Sequence, residues 1–76
     1  MMTITKGLPI SVDADVMSGT PVFEGTRVPV SALLENLEAG VSLDEFLDNF
    51  PTVSRHQAVR VLQHFRSKLN DLSLAK

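Results

Sequence analysis

The sequence contains no cysteine, tryptophan or tyrosine, and four phenylalanines are its only aromatic residues. Without cysteine there is no disulfide framework, no thiol nucleophile and no cysteine-ligated metal site. No apolar run approaches the roughly 20 residues that a membrane span needs. No basic-then-apolar signal pattern opens the chain, so a cytoplasmic location is expected. Disorder is not expected, because 43% of the residues are hydrophobic and only 21% are charged. The 76 residues leave room for one small domain. A domain of this size is marginally stable alone, which favours a homodimer or a tightly bound partner.

The formal net charge of −2 hides a split. Residues 1–53 carry Lys6 and Arg27 against eight carboxylates, a balance of −6. Residues 54–76 carry Arg55, Arg60, Arg66, Lys68 and Lys76 against Asp71, a balance of +4. An acidic body is followed by a basic last helix.

Residues 1–9 read as a flexible N-terminus and 70–76 as a C-terminal tail, leaving 10–69 as the domain. Ile10 and Val12 suggest a short strand, and Met17 to Pro21 is turn chemistry. Val22-Phe23 and Arg27-Val28 flank Glu24-Gly25-Thr26, which predicts a β-hairpin ended by Pro29. Val30, Leu33, Leu34 and Leu37 then form the apolar stripe of a first helix, with Gly40 placed to terminate it. Ser42 and Glu45 have the spacing of a capping box, and Leu43, Phe46, Leu47 and Phe50 line a second helix stopped by Pro51. A second capping box, Ser54 with Gln57, opens a third helix whose core stripe is Ala58, Val61, Leu62, Phe65 and Leu69. The expected fold is mainly α: a small three-helix helix-turn-helix domain with an N-terminal β-strand or β-hairpin element.

The link Pro51-Thr52-Val53 between two capped helices is helix-turn-helix layout. In DNA-binding versions the second helix of the pair enters the major groove. Its expected outer face holds His56, Arg60, Gln63 and Ser67, flanked by Arg55 and Arg66 on one side and Gln57, His64 and Lys68 on the other. Arg, Gln and His match base-edge donors and acceptors, so Arg55, His56, Gln57, Arg60 and Gln63 form a candidate DNA-contact set. Two other readings stay open: a solvated face with cations complementing the helix C-terminus, and a protein interface. Val59 also points off the core stripe, toward a thymine methyl, the hairpin or a second subunit.

Enzymatic readings find little support. His56 and His64 lie about 80° apart in azimuth on the third helix, which is not the spacing of a helical metal pair. Asp44, Glu45 and Asp48 favour a helix N-terminus better than a metal. No P-loop lysine or catalytic triad is in place. No catalytic residue, metal or cofactor is therefore expected.

The run Gly19-Thr20-Pro21-Val22-Phe23-Glu24-Gly25-Thr26-Arg27-Val28-Pro29-Val30 resembles the opening motif of domain-of-unknown-function family 433. Leu37 to Leu47, Phe50 to Ser54, Gln57-Ala58 and Val61-Leu62 resemble its middle and closing helix. The resemblance implies a VapB-like antitoxin of a type II toxin–antitoxin module. Such a protein binds and neutralises a PIN-like ribonuclease toxin and represses its own operon through DNA. Antitoxins often carry a long C-terminal segment that wraps the toxin, whereas seven residues, 70–76, follow the third helix here. That moves the expected toxin surface to the acidic body or the hairpin. Thr26 and Arg27 are candidate partner-binding residues there, with cross-strand pairing as their alternative role. The alternative function is a protein-interaction module of helix-turn-helix fold that reads no DNA.

Overall fold

The computed structural model describes residues 2–4 and 7–72. Three short strands precede three helices: β1 (Met2–Ile4), β2 (Ile10–Asp13), β3 (Val22–Phe23), α1 (Val30–Glu38), α2 (Leu43–Asn49) and α3 (Arg55–Asp71). The strands form one antiparallel sheet in the order β1-β2-β3. The mainly helical fold with an N-terminal β element is therefore as expected. The strand pairing is not.

β1 lies inside the segment expected to be flexible, since Met2, Thr3 and Ile4 pair with Asp13, Val12 and Ser11. A three-residue strand is too short to announce itself by alternation. Residues 1, 5 and 6 of that segment, and 73–76 of the expected tail, lie outside the described residues. Asn70 and Asp71 extend α3 rather than starting the tail.

β3 pairs with β2, through Ile10 opposite Phe23 and Ser11 opposite Val22, and not with a strand at Arg27-Val28. The chain does turn back after Gly25, whose φ of 79° suits glycine. Only one bridge forms, between Val22 and Pro29. The ladder stops for two reasons. Pro29 has no N–H, and the Val28 N–H donates to Thr26 Oγ1 at 3.0 Å instead of to a strand. Before β3, the chain makes a single 3-10 turn over Met17–Gly19, with φ of 52° and 56° at Met17 and Ser18.

The helices begin and end for local reasons. Both expected capping boxes are complete, Ser42 with Glu45 and Ser54 with Gln57. Each satisfies orphan N–H groups in both directions. α1 ends in a Schellman motif: the Val41 N–H reaches the Asn36 carbonyl at 2.9 Å and the Gly40 N–H reaches that of Leu37 at 3.1 Å. Gly40 sits at φ 89° to allow it.

Ile10, Phe23, Val30, Leu33, Phe46, Val53, Ala58 and Val61 form the core. Phe23, Leu33, Phe46, Ala58 and Val61 are completely shielded from solvent. The apolar stripe of α3 enters the core only over its first half. Phe65 and Leu69, expected as core residues, are 36% and 67% exposed. Helix lengths explain this. At about 1.5 Å per residue α3 runs roughly 25 Å, whereas α1 and α2 reach only about 14 and 10 Å. The last turns of α3 overshoot the body. The radius of gyration agrees: 13.3 Å, against about 11 Å for a compact chain of this length.

Phe46→Ala should lower unfolding free energy by about 3–5 kcal/mol, a large share of the stability of so small a domain, as read by urea denaturation. Gly40→Ala meets no steric contact. It should still cost about 1 kcal/mol through the left-handed backbone alone, and Gly40→Asn should cost less.

Candidate functional site

Of the five candidate DNA-contact residues, His56, Arg60 and Gln63 share one face of α3 at i, i+4 and i+7, while Arg55 and Gln57 flank it and are held by contacts of their own. Arg55, on the first turn of α3, reaches back to pair with Asp44 on α2. Both side chains are well exposed, so the pair is weak, but it draws Arg55 toward the acidic start of α2. His56, Gln57 and Arg60 do come together, in a shallow cleft of about 480 Å³. The opposite wall of that cleft is this chain's own Gly7, Leu8, Pro9 and Glu24. Gln63 follows Arg60 by one turn and stands over a shallow depression with Val59, Leu62 and Arg66.

Two of the three cleft residues each have one donor engaged within the chain. The Gln57 amide nitrogen donates to the Glu24 carbonyl at 3.0 Å, while its Oε1 accepts from the Ser54 N–H at 3.0 Å. One side chain thus caps α3 and clamps the loop after β3. The Arg60 guanidinium donates to the Gly7 carbonyl. His56, Gln63 and Arg66 are exposed.

Of the two candidate partner-binding residues, Thr26 has a structural duty. Its hydroxyl donates to the Phe23 carbonyl at 2.8 Å and accepts from the Val28 N–H. That shapes the loop and presents Arg27, which is exposed. Arg27 stands on an open groove of about 690 Å³ whose walls include Val16, Val22, Val28, Pro29 and Phe50. The groove brings the most distinctive run of the sequence into contact with the Pro51 turn. β2 sets which face it occupies: Ser11 and Asp13 point to this side, while Ile10 and Val12 point to the other.

On that other face lies a second, apolar groove of about 370 Å³, which sequence reasoning missed. Leu8, Ile10, Val12, Pro21, Leu34 and Phe65 are among its lining residues. Phe65 continues it onto the projecting end of α3, where Leu69 and Leu72 are also exposed. The sequence signal was the length of the third helix relative to the other two. Among the described residues no group of three or more His, Asp or Glu is placed to hold a metal ion. No helix there is long and apolar enough to cross a membrane.

Replacing Gln57 by Ala removes the clamp together with the reciprocal half of the capping box, and leaves the Ser54 hydroxyl cap in place. The cost should be about 1–2 kcal/mol in urea denaturation, exceeding that of Glu45→Ala, whose side chain serves the α2 cap only.

No solved structure matches the chain. A curated relative, the uncharacterized protein y4eO of Sinorhizobium fredii (strain NBRC 101917 / NGR234), is 36% identical over 44 residues. That match covers 58% of this chain and 20% of the relative, so the chain spans about a fifth of that protein's length. Residues 10–64 match the family described as "Protein of unknown function (DUF433)". They run from β2 to the outward half of α3 and take in the Arg27 groove, the capping boxes and the core. The chain therefore belongs to the DUF433 family.

Proposed function

We propose that this protein is a non-enzymatic, antitoxin-like component of a type II toxin–antitoxin module, which binds and neutralises a PIN-like ribonuclease toxin. The observation that carries this reading is the groove around Arg27. Val22, Gly25, Thr26, Arg27, Val28 and Pro29 all line it, so half of the motif by which the sequence resembles its family meets at one open surface, while Thr20, Pro21 and Val30 line the apolar groove on the other face. Its chemistry is that of a protein-docking site: apolar walls from Val16, Val28, Pro29 and Phe50, with the Arg27 guanidinium and the Asp13 carboxylate both lining it. Such a surface suits a partner that offers a carboxylate beside apolar side chains. Thr26 supports it from behind by holding the loop.

Repression of the operon through DNA is the second arm of the reading, and it is the weaker one. Gln57 and Arg60 are each tethered by one bond, to Glu24 and Gly7, which restricts how far they can turn toward a base edge. His56, Gln63 and Arg66 are the α3 side chains that phosphate or base contacts would use without that restriction.

Co-expression with the product of the neighbouring gene should relieve that product's toxicity and yield a stable complex. Arg27→Glu should weaken that complex at least tenfold in calorimetric titration, with an unchanged circular dichroism spectrum. No complex with the wild-type protein overturns the antitoxin reading. Full affinity in the Arg27→Glu variant removes the groove from it. In mobility-shift assays with the upstream DNA, an identical shift by wild type and by His56→Ala/Gln63→Ala/Arg66→Ala removes α3 from DNA contact.

A further inference from the structure

We infer that the projecting end of α3 is covered by a second copy of this chain, in a two-fold dimer where each α3 lies in the apolar groove of the other subunit. Three observations carry this.

The first is the stripe itself. Ala58, Leu62, Phe65, Leu69 and Leu72 follow a strict 4-3-4-3 spacing, the repeat of a helix seam. Ala58 is buried in its own subunit, Leu62 is half-buried, and exposure then climbs from 36% at Phe65 to 67% at Leu69 and 76% at Leu72. Large apolar side chains on successive turns at that exposure are a surface made for contact.

The second is the receptor. The groove of Leu8, Ile10, Val12, Pro21 and Leu34 begins at Phe65 and runs over the body of the same subunit. Two α3 helices crossing antiparallel at Phe65 would carry the Leu69 and Leu72 of each across the groove of the other. A helix laid in an apolar groove uses such anchors three and four residues apart. The arrangement is isologous, the same patch on both subunits, so it closes at two.

The third is charge. Arg66 and Lys68 flank the exposed stripe. Ser31 and Leu34 line the groove on α1, and one helical turn further along lie Glu35 and Glu38, both exposed. Cations beside the knobs thus meet carboxylates beside the holes. The body of one subunit, at −6, faces the last helix of the other, at +4.

This face lies opposite the Arg27 groove across β2, so the dimer and the partner reading stand or fall separately.

Sedimentation equilibrium tests the dimer with the protein alone. Wild type should be dimeric at micromolar concentration. Leu69→Glu should be monomeric with unchanged helicity, since Leu69 makes little contact in its own subunit. Glu35→Lys/Glu38→Lys and Arg66→Glu/Lys68→Glu should each be monomeric alone and should form a heterodimer when mixed, because both reciprocal contacts regain opposite charges. A monomeric wild type overturns the proposal, and so does a Leu69→Glu dimer. Failure of the two charge-reversed variants to combine overturns the helix-on-body arrangement. None of these results bears on the Arg27→Glu outcome.

Discussion

Phe23 and Phe46 meet with ring centroids 6.4 Å apart, both fully buried, and the rest of the molecule depends on that contact. Phe23 comes from a strand of two residues and Phe46 from a helix of seven. Neither element is long enough to persist alone in water. Each is stabilised by the apolar surface it buries on the other. Phe46 also packs on Phe50 at 4.8 Å between centroids, which extends the aromatic contact to the Pro51 turn. Leu33, Ala58 and Val61 close around this pair, so one small cluster joins the β element to all three helices. With so few buried side chains, the Gln57 clamp matters more than a single hydrogen bond would in a larger domain.

The parts of the fold legible in the sequence are those whose causes lie within a few residues. Ser42 with Glu45, Ser54 with Gln57, and Gly40 after α1 each solve a local backbone problem, and local pattern finds them. Long-range bonds have no such signature. Gln57 reaches a carbonyl 33 positions away and Arg60 one 53 positions away. A helical wheel therefore places Arg60 on an open face, while the fold turns it onto Gly7. Thr26 was ambiguous between a partner and a strand neighbour because its real partners are backbone atoms of its own loop. The misplacement of Phe65 and Leu69 in the core has a different origin. Periodicity reports which side of a helix is apolar, and says nothing of how far the neighbours extend to cover it.

The sheet organises the candidate surfaces. Alternation along β2 sends Ile10 and Val12 to one face, and Ser11 and Asp13 to the other. One face builds the apolar groove that runs to α3, and the other builds the groove beside Arg27. Two candidate surfaces thereby stand on opposite faces of the sheet, and occupying one need not disturb the other. The charge split has the same economy. Carboxylates at the start of α2 serve the helix end, and those on α1 border the apolar groove.

α1 differs from the other two helices in how it begins. Pro29 precedes it without a side-chain cap, and the first amide, that of Val30, donates to the Pro21 carbonyl at 3.0 Å. α2 and α3 bring their own caps, so their first turns can form as soon as the chain there collapses. α1 must wait for the loop around β3 to come into place, since the acceptor it needs lies nine residues upstream. The start of α1 and the loop around β3 therefore form one unit: a change that displaces the Pro21 carbonyl leaves the first turn of α1 without its acceptor, whereas the first turns of α2 and α3 keep theirs.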